Sequence, residues 1–140
     1  MEQGDKELLL KYLCMALPYD LQVKTDEDNE PYTLLSIHPN KGIALIGIDM
    51  DGVYATSKVK IDTIKPYLRP MSSMTEEEKK EFDNFCVIDE FVWEGKTEIG
   101  YKNQAIIMSV AINWLLKKHF DFMDLIPKGL AIEVTEEDYG

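Results

Sequence analysis

The sequence predicts a single α+β domain in which a four- to five-stranded antiparallel meander carries an N-terminal helix and two later helices packed on it. Three observations lead to this fold class. Apolar residues recur at helical spacing near the N terminus and again after residue 75, strand-like alternation fills the region between, and the gaps between strands are short. The 140 residues are 45% hydrophobic and 29% charged, which suits one domain with one core. We assign residues 1–140 to that domain, with an acidic tail at about 135–140.

An amphipathic helix is predicted at the N terminus. Asp5 is a suitable N-cap residue, and the apolar residues that follow it repeat with a period near 3.6. Pro18 ends the helix, because a proline pushes the residue before it out of the helical region. The apolar stripe consists of Leu8, Leu9, Tyr12, Leu13 and Ala16.

Strand-like runs separated by turn residues occupy the region from 21 to 61. Parallel neighbours need a crossover of about a dozen residues or more, so the short gaps predict antiparallel pairing between consecutive strands. The run 43–48 is almost wholly apolar and is predicted to be a central strand that is buried on both faces. The predicted strands are 21–23, 32–37, 43–48 and 53–61.

A proline-containing stretch follows the last of these strands. The two prolines at 66 and 70 argue against a central strand and against a helix interior, so we predict an extended connector that leaves the sheet. Met71 and Met74, together with this stretch, are interpreted as an apolar strap over the sheet. A partner-docking surface is the alternative.

Two helices are predicted in the second half of the chain. Thr75 and Glu78 match a capping box, and the helix that they open runs to about Cys86. The segment from Asn103 to about His119 is apolar around most of its circumference and is predicted to be the core helix across the sheet. The first of these helices is expected to bury Phe82, Phe85 and Cys86, and short strands are predicted at 87–93 and 130–134.

The charge of the chain restricts its partners. Fifteen Lys and Arg residues against 26 Asp and Glu give a formal net charge of −11, which disfavours direct binding to a nucleic-acid backbone. The N terminus is polar and acidic, and the most apolar window, 105–116, is shorter than the roughly 20 residues that span a bilayer. We therefore expect a cytoplasmic protein that binds neither nucleic acid nor membrane. Acidic residues concentrate at 26–30, 76–78 and 136–138.

The two cysteines carry no recognisable metal or redox motif. Cys14 and Cys86 lie far apart in apolar helical patterns, which predicts small buried side chains in a reducing compartment. A disulfide between them is the alternative that the sequence leaves open. No Cys-x-x-Cys pair is present.

The stretch Ile48-Asp49-Met50-Asp51-Gly52-Val53 has two incompatible interpretations. It resembles the nucleophile motif of the haloacid-dehalogenase-like phosphatases, in which Asp49 would attack phosphorus and Asp51 would act as general acid beside Mg²⁺. Lys58, Lys60 and the acidic pair at 89–90 are the nominees for the remaining roles. Asp-Gly between two strand-like runs is also a strong hairpin signal, and we favour the hairpin.

The other candidate site residues are interpreted as structural. A calcium loop starting at Asp49 would place Val53 and Tyr54 at the fifth and sixth positions, where a ligand and glycine belong. The acidic segment 26–30 is at most an adventitious ion site. His38 lies in a turn, and His119 lies at a helix C-terminus, where the helix dipole favours its charged form. Ser72 and Ser73 have no glycine elbow around them.

Two stretches resemble a known group of proteins. The run 64–78, with Pro-Tyr-Leu-Arg-Pro-Met-Ser-Ser-Met at its centre, is the more specific of the two. The other is a later pattern, which consists of His-Phe-Asp-Phe at 119–122 and Leu-Ile-Pro-Lys-Gly-Leu-Ala at 125–131. Together they resemble short, uncharacterised proteins of Bacteroides-type gut bacteria and of their phages or mobile elements, over about half of the chain. The resemblance implies a cytoplasmic protein with phage or prophage among its expected sources, and it transfers no activity and no catalytic residue.

The sequence therefore predicts a non-catalytic binding or accessory domain. We assign no catalytic, cofactor-binding or metal-binding residues and no cofactor. The expected partner is an unidentified protein, with a second copy of the chain as a further candidate. Two alternatives remain, namely a Mg²⁺-dependent phosphatase using Asp49 and Asp51, and an acidic decoy that occupies a DNA-binding protein.

Overall fold

The computed structural model describes residues 2–86 and 98–134 and has the predicted α+β architecture. An N-terminal helix, a mostly antiparallel sheet and two later helices make up this part of the chain. The predicted strand at 87–93 and the acidic tail lie outside the described residues. The helices are α1 (Gln3–Ala16), α2 (Glu76–Cys86) and α3 (Glu98–Lys117), and the strands are β1 (Gln22–Thr25), β2 (Tyr32–His38), β3 (Ile43–Met50), β4 (Val53–Lys60), β5 (Ile64–Pro70), β6 (Phe120–Asp121) and β7 (Ile132–Glu133).

Helix α1 begins three residues earlier than predicted. Glu2 occupies the N-cap position without a side-chain cap bond, so the prediction that Asp5 caps the helix is wrong. Asp5 lies in the first turn instead, where its charge still complements the helix dipole. The helix ends at Ala16, and Pro18 lies in the 3-10 turn that follows, as its fixed backbone dihedral allows.

Cys14 lies on the exposed side of α1. The prediction that it is buried is therefore wrong, because the buried stripe of the helix consists of Leu9, Tyr12, Leu13 and Ala16 and leaves the position next to Leu13 outside. The side chain of Cys86 lies outside the described residues.

The sheet has the order β4-β3-β2-β1-β5-β6, and β7 also pairs with β5. Strands β1 to β4 form the predicted antiparallel meander. The connector prediction for 64–70 is wrong, because this stretch is strand β5 between β1 and the two short C-terminal strands. The strand tolerates its prolines because the ladder to β7 starts at Tyr67, just past Pro66, and Pro70 is the last residue.

One face of the sheet and α1 enclose the main core. Leu34 and Ile46 are cross-strand neighbours in it, and Tyr12 of α1 is fully buried against it. The face that the core covers holds Ala44 and Ile46 of β3, whereas Ile43 and Leu45 on the other face are only half-buried. The prediction that this strand is buried on both faces is therefore wrong. Strand β4 is exposed along its length except at the half-buried Val59, because it is the outermost strand.

A second, smaller cluster lies on the opposite face, beside β5. Leu68 belongs to the main core, so the next residue, Arg69, points to the other face, where it meets its β6 neighbour Phe120. Trp114 of α3 stacks on Phe120 with ring centroids 5.9 Å apart. The apolar members of the second cluster are Trp114, Leu115 and Phe120, with Met74, Phe82 and Phe122 packed against them.

Among the described side chains of α3, residues 102–117, the buried ones lie at 114–116 near its C-terminal end. Leu115 and Leu116 are buried, whereas Ile106, Met108 and Val110 are 60%, 54% and 44% exposed. The prediction that the helix lies across the sheet with most of its circumference covered is thus wrong for the segment that holds Ile106, Met108 and Val110. Apolar composition predicts burial only where another layer covers the helix, and these three side chains face water. Among residues 2–86 and 98–134, no helix combines the length and the apolarity that crossing a membrane requires.

This division of α3 can be tested by two truncations of the same residue type. We expect Ile106→Ala to change the free energy of unfolding by less than about 0.5 kcal/mol, since the side chain already contacts water. Ile112→Ala removes a side chain that packs against the main core and is expected to cost about 1–2 kcal/mol. Urea denaturation of both variants measures the difference. Equal losses would show that the first half of the helix is packed as well as the second.

Candidate functional site

The hairpin between β3 and β4 is confirmed. Met50 pairs with Val53 across a two-residue turn, and the φ values of Asp51 and Gly52 are +54° and +84°. Two successive positive φ values define a type I′ turn, which an Asp-Gly pair adopts readily and whose twist matches the flanking strands. Asp49 Oδ1 also accepts a hydrogen bond of 3.2 Å from the Gly52 amide. The aspartates thus have local roles in forming the turn.

This geometry differs from the one that the phosphatase hypothesis requires. Asp49 stands opposite Tyr54 in an antiparallel ladder, whereas the phosphatase motif closes a parallel strand that leads into a helix. Lys58 and Lys60 pair with the other half of β3, about 13–20 Å along the strand from that point at roughly 3.3 Å per residue. The structure therefore does not bring Asp49 together with Lys58 or Lys60. The acidic pair at 89–90 lies outside the described residues.

Acidic residues in the described part of the chain also serve the fold. Asp28 accepts hydrogen bonds from the Tyr32 hydroxyl at 2.7 Å and from the Glu30 amide at 3.0 Å, which orders the loop before β2. Within residues 2–86 and 98–134, no group of three or more His, Cys, Asp or Glu side chains is arranged to hold a metal ion.

Glu78 joins a buried ion pair to the capping box of α2. Its carboxylate receives 2.9 and 2.7 Å bonds from the two terminal nitrogens of Arg69, and a 3.0 Å bond from the Thr75 amide. Thr75 Oγ1 in turn accepts from the Glu78 amide at 3.1 Å, so the predicted capping box is confirmed. The bonds from Arg69, assisted by those from Thr75, lower the pKa of Glu78 from 4.5 to about 2, against the opposing effect of burial.

Arg69 has contacts on its other sides as well. Its guanidinium carbon lies 4.2 Å from the centroid of the Phe120 ring, and Nη2 donates to the Ser73 carbonyl at 3.3 Å. Ser73 Oγ donates to the Pro70 carbonyl at 2.7 Å. Met74 packs in the second cluster, whereas Met71 is 41% exposed. The strap interpretation is wrong for the run 64–70, because this run is strand β5 within the sheet and does not lie over it. The proline-containing run therefore fastens α2 to the sheet through Arg69.

The two histidines lie in different environments. His38 is exposed at the end of β2, before the 3-10 turn Pro39–Lys41. His119 is buried with φ at +61°, and its ring Nε2 donates to the Tyr19 carbonyl at 2.7 Å. Burial lowers the pKa of His119, which outweighs the raising effects of the Tyr19 carbonyl and of Asp20. Burial thus opposes the charged form that the helix dipole is expected to favour.

Exposed apolar side chains lie on both faces of the sheet at the hairpin tip, Met50 and Val53 on one face and Tyr54 on the other. Met50, Val53 and Tyr54 are 60%, 69% and 54% exposed. The Tyr54 ring lies across Gly47, where an added Cβ would come within 2.6 Å of the phenol oxygen. The aromatic ring thus covers the glycine backbone, and any side chain at 47 would displace it. This arrangement holds a large apolar group at a defined place on the sheet surface.

The free edge of β4 adjoins these side chains. Hydrogen-bonded and non-hydrogen-bonded pairs alternate in an antiparallel ladder, and the pair next to a two-residue turn is hydrogen-bonded. Val53, Ala55 and Ser57 therefore point their amides and carbonyls toward β3. The amides and carbonyls that point away from the sheet belong to Tyr54, Thr56 and Lys58. Within the described residues, β4 is the last strand in the sheet order, so this edge is open.

The sequence predicted the hairpin, but it did not predict that the edge of β4 is a candidate binding surface. The available signal was the placement of Lys58 and Lys60 on one face of a strand, since charged side chains often protect an exposed sheet edge from uncontrolled pairing. No family model, curated protein or solved structure matches the chain.

Proposed function

We propose that the chain is a non-catalytic binding domain that holds an extended segment of another protein along β4. The observation that carries this proposal is the open edge of β4 beside the exposed Met50, Val53 and Tyr54. A strand added to such an edge gains main-chain hydrogen bonds, while neighbouring side chains select its sequence. Tyr54 on one face of the sheet, and Met50 with Val53 on the other, supply apolar contacts that edge pairing alone lacks.

The charges beside the edge define the partner further. Lys58 and Lys60 project from one face of β4, the same face as Tyr54. A segment with an apolar residue next to Tyr54 and acidic residues next to the lysines is therefore complementary. A second copy of the chain is a weaker candidate, because two molecules that each carry −11 repel each other.

An accessory role inside the cell is part of the proposal. It rests on the resemblance of the runs 64–78 and 119–131 to short proteins of gut bacteria and their phages, a resemblance that implies a place inside the cell and transfers no activity. The acidic decoy and the phosphatase remain alternatives that partner identification and a Mg²⁺-dependent turnover assay would distinguish.

Thr56→Pro tests the edge directly. Proline removes the outward-pointing amide at 56 and blocks a further strand, while the bonds of Ala55 and Ser57 to β3 remain. We expect the affinity for the partner to fall at least about tenfold, corresponding to roughly 1.4 kcal/mol or more. Quantitative affinity purification from cells that carry the gene, followed by titration of the recovered partner, measures the loss.

Thr56→Ala is the matched control, because it changes the same side chain and keeps the amide. A partner held along β4 binds this variant like the wild type and protects the amides of Thr56 and Lys58 from hydrogen exchange. Equal binding by the proline and alanine variants, with both folded, would contradict the proposal.

A further inference from the structure

A cavity of about 360 Å³ opens beside the N-terminal half of α1. We call it the lysine cavity. Its volume falls within the usual range of small-molecule sites. The 3-10 turns Pro39–Lys41 and Ile61–Thr63 form the opposite wall. The lining includes Lys6, Leu9, Leu10, Lys41, Lys60 and Ile61.

Backbone hydrogen bonds hold the far wall in place. The Ile61 amide donates to the Gly42 carbonyl at 2.9 Å, which ties the two turns together. Gly42 ends the first turn with φ at +65° and donates to the Pro39 carbonyl at 3.3 Å. Thr63 Oγ1 donates to the Lys60 carbonyl at 2.7 Å. The cavity is thus formed before any ligand arrives, which reduces the entropic cost of binding.

The lining combines an apolar floor with a cationic rim. Leu10 and Ile43 are half-buried and present apolar surface to the cavity, and Ile61 is 8% exposed. Lys6, Lys41 and Lys60 line the cavity with a single carboxylate, that of Asp62. The Lys6 ammonium lies 4.0 Å from Asp62, and both side chains are nearly half-exposed, so the attraction between them is weak. An excess of positive charge is unusual on a chain of net charge −11.

We propose that the lysine cavity binds a small amphiphilic carboxylate. Its apolar body lies on Leu10, Ile43 and Ile61, and its carboxylate meets the ammonium groups of Lys41 and Lys60. At roughly 30 Å³ per non-hydrogen atom, taken from the volume share of liquid water, the cavity holds about a dozen such atoms. Decanoate is a probe of that size. The cavity shares Lys60 with the proposed partner surface on β4, whereas its apolar lining and Lys41 lie outside that surface.

Titration with decanoate, followed by amide NMR shifts, tests the proposal. We expect saturable shifts centred on Gly42, Ile43 and Ile61, with Kd on the order of 0.1–1 mM for a ligand of about a dozen atoms. Lys60→Glu is expected to weaken binding at least about tenfold, because it removes a charge-assisted bond and adds repulsion. Lys58→Glu is the matched control, since it makes the same charge change two residues away, outside the cavity.

A second variant and two further probes test the cavity, the lysines and the apolar floor separately. Leu10→Trp fills the cavity from α1 and is expected to abolish the shifts while the fold persists in the spectrum. Decanol binding as tightly as decanoate would overturn the role of the lysines. Inorganic phosphate producing the same shifts would overturn the role of the apolar floor. Absence of saturable shifts with millimolar decanoate would overturn the site itself.

Discussion

Arg69→Met is expected to lower the free energy of unfolding by about 3–5 kcal/mol, the cost typical of breaking a buried ion pair from one side. The substitution leaves the Glu78 carboxylate in a site where Arg69 and Glu78 side chains are only 5% and 11% exposed. It also removes the contact of the guanidinium with the Phe120 ring. Equilibrium denaturation in urea at neutral pH measures the loss.

Two further variants distinguish the effect of burying the ion pair from the effect of an ion pair as such. Lys79→Met breaks an exposed pair with Glu76, in which the nitrogen and oxygen are 3.2 Å apart, and is expected to cost less than about 0.5 kcal/mol. Replacing Arg69 and Glu78 together by Met is expected to recover most of the loss, apart from about 1 kcal/mol for the missing cap bond to Thr75. A double variant as unstable as Arg69→Met would show that the stranded carboxylate is not the cause.

The ion pair of Arg69 and Glu78 also makes part of the free energy of unfolding depend on pH. The pKa of Glu78 is about 2 in the folded chain against 4.5 ordinarily, so the folded state binds fewer protons than the unfolded state in this range. Its stabilisation is complete above about pH 4.5 and is lost as the pH falls toward 2. At roughly 1.4 kcal/mol per pKa unit the component is about 3 kcal/mol. Glu78→Gln lacks the titrating group, so an unchanged slope in that variant would contradict the assignment.

Asp121→Ala is expected to cost about 3 kcal/mol. The carboxylate of Asp121 is buried, and its two oxygens accept 2.8 Å bonds from the amides of Leu125 and Ile126. Alanine leaves those two amides without an acceptor in the interior, and each such loss costs about 1–3 kcal/mol. Thermal and urea denaturation report the total, and faster hydrogen exchange of the two amides reports its location.

Asp28 provides the matched comparison for this prediction. It also accepts two hydrogen bonds, from Tyr32 and Glu30, but it lies in an exposed loop where water replaces them. Asp28→Ala is therefore expected to cost less than about 1 kcal/mol. Asp121→Asn keeps one acceptor oxygen and should fall between the alanine variant and the wild type. If Asp28→Ala and Asp121→Ala prove equally costly, burial is not the deciding factor.

Local sequence signals determined several features of this protein. The Asp51-Gly52 turn, the capping box of Thr75 and Glu78, and the end of α1 near Pro18 each depend on backbone dihedrals and hydrogen bonds within a few residues. The meander also followed from the sequence, because gaps as short as these exclude a crossover between parallel strands. These features need no information about distant parts of the chain.

Tertiary structure alone decided the place of β5, the partial burial of α3 and the candidate sites. Whether a proline fits a strand depends on which side the neighbouring strands occupy, and whether an apolar helix is buried depends on how far the next layer extends. The ion pair of Arg69 and Glu78 and the lysine cavity join elements whose contact no local pattern encodes. The sequence by itself thus determined the elements and their local order, whereas only packing between distant segments decided which surfaces remain open for binding.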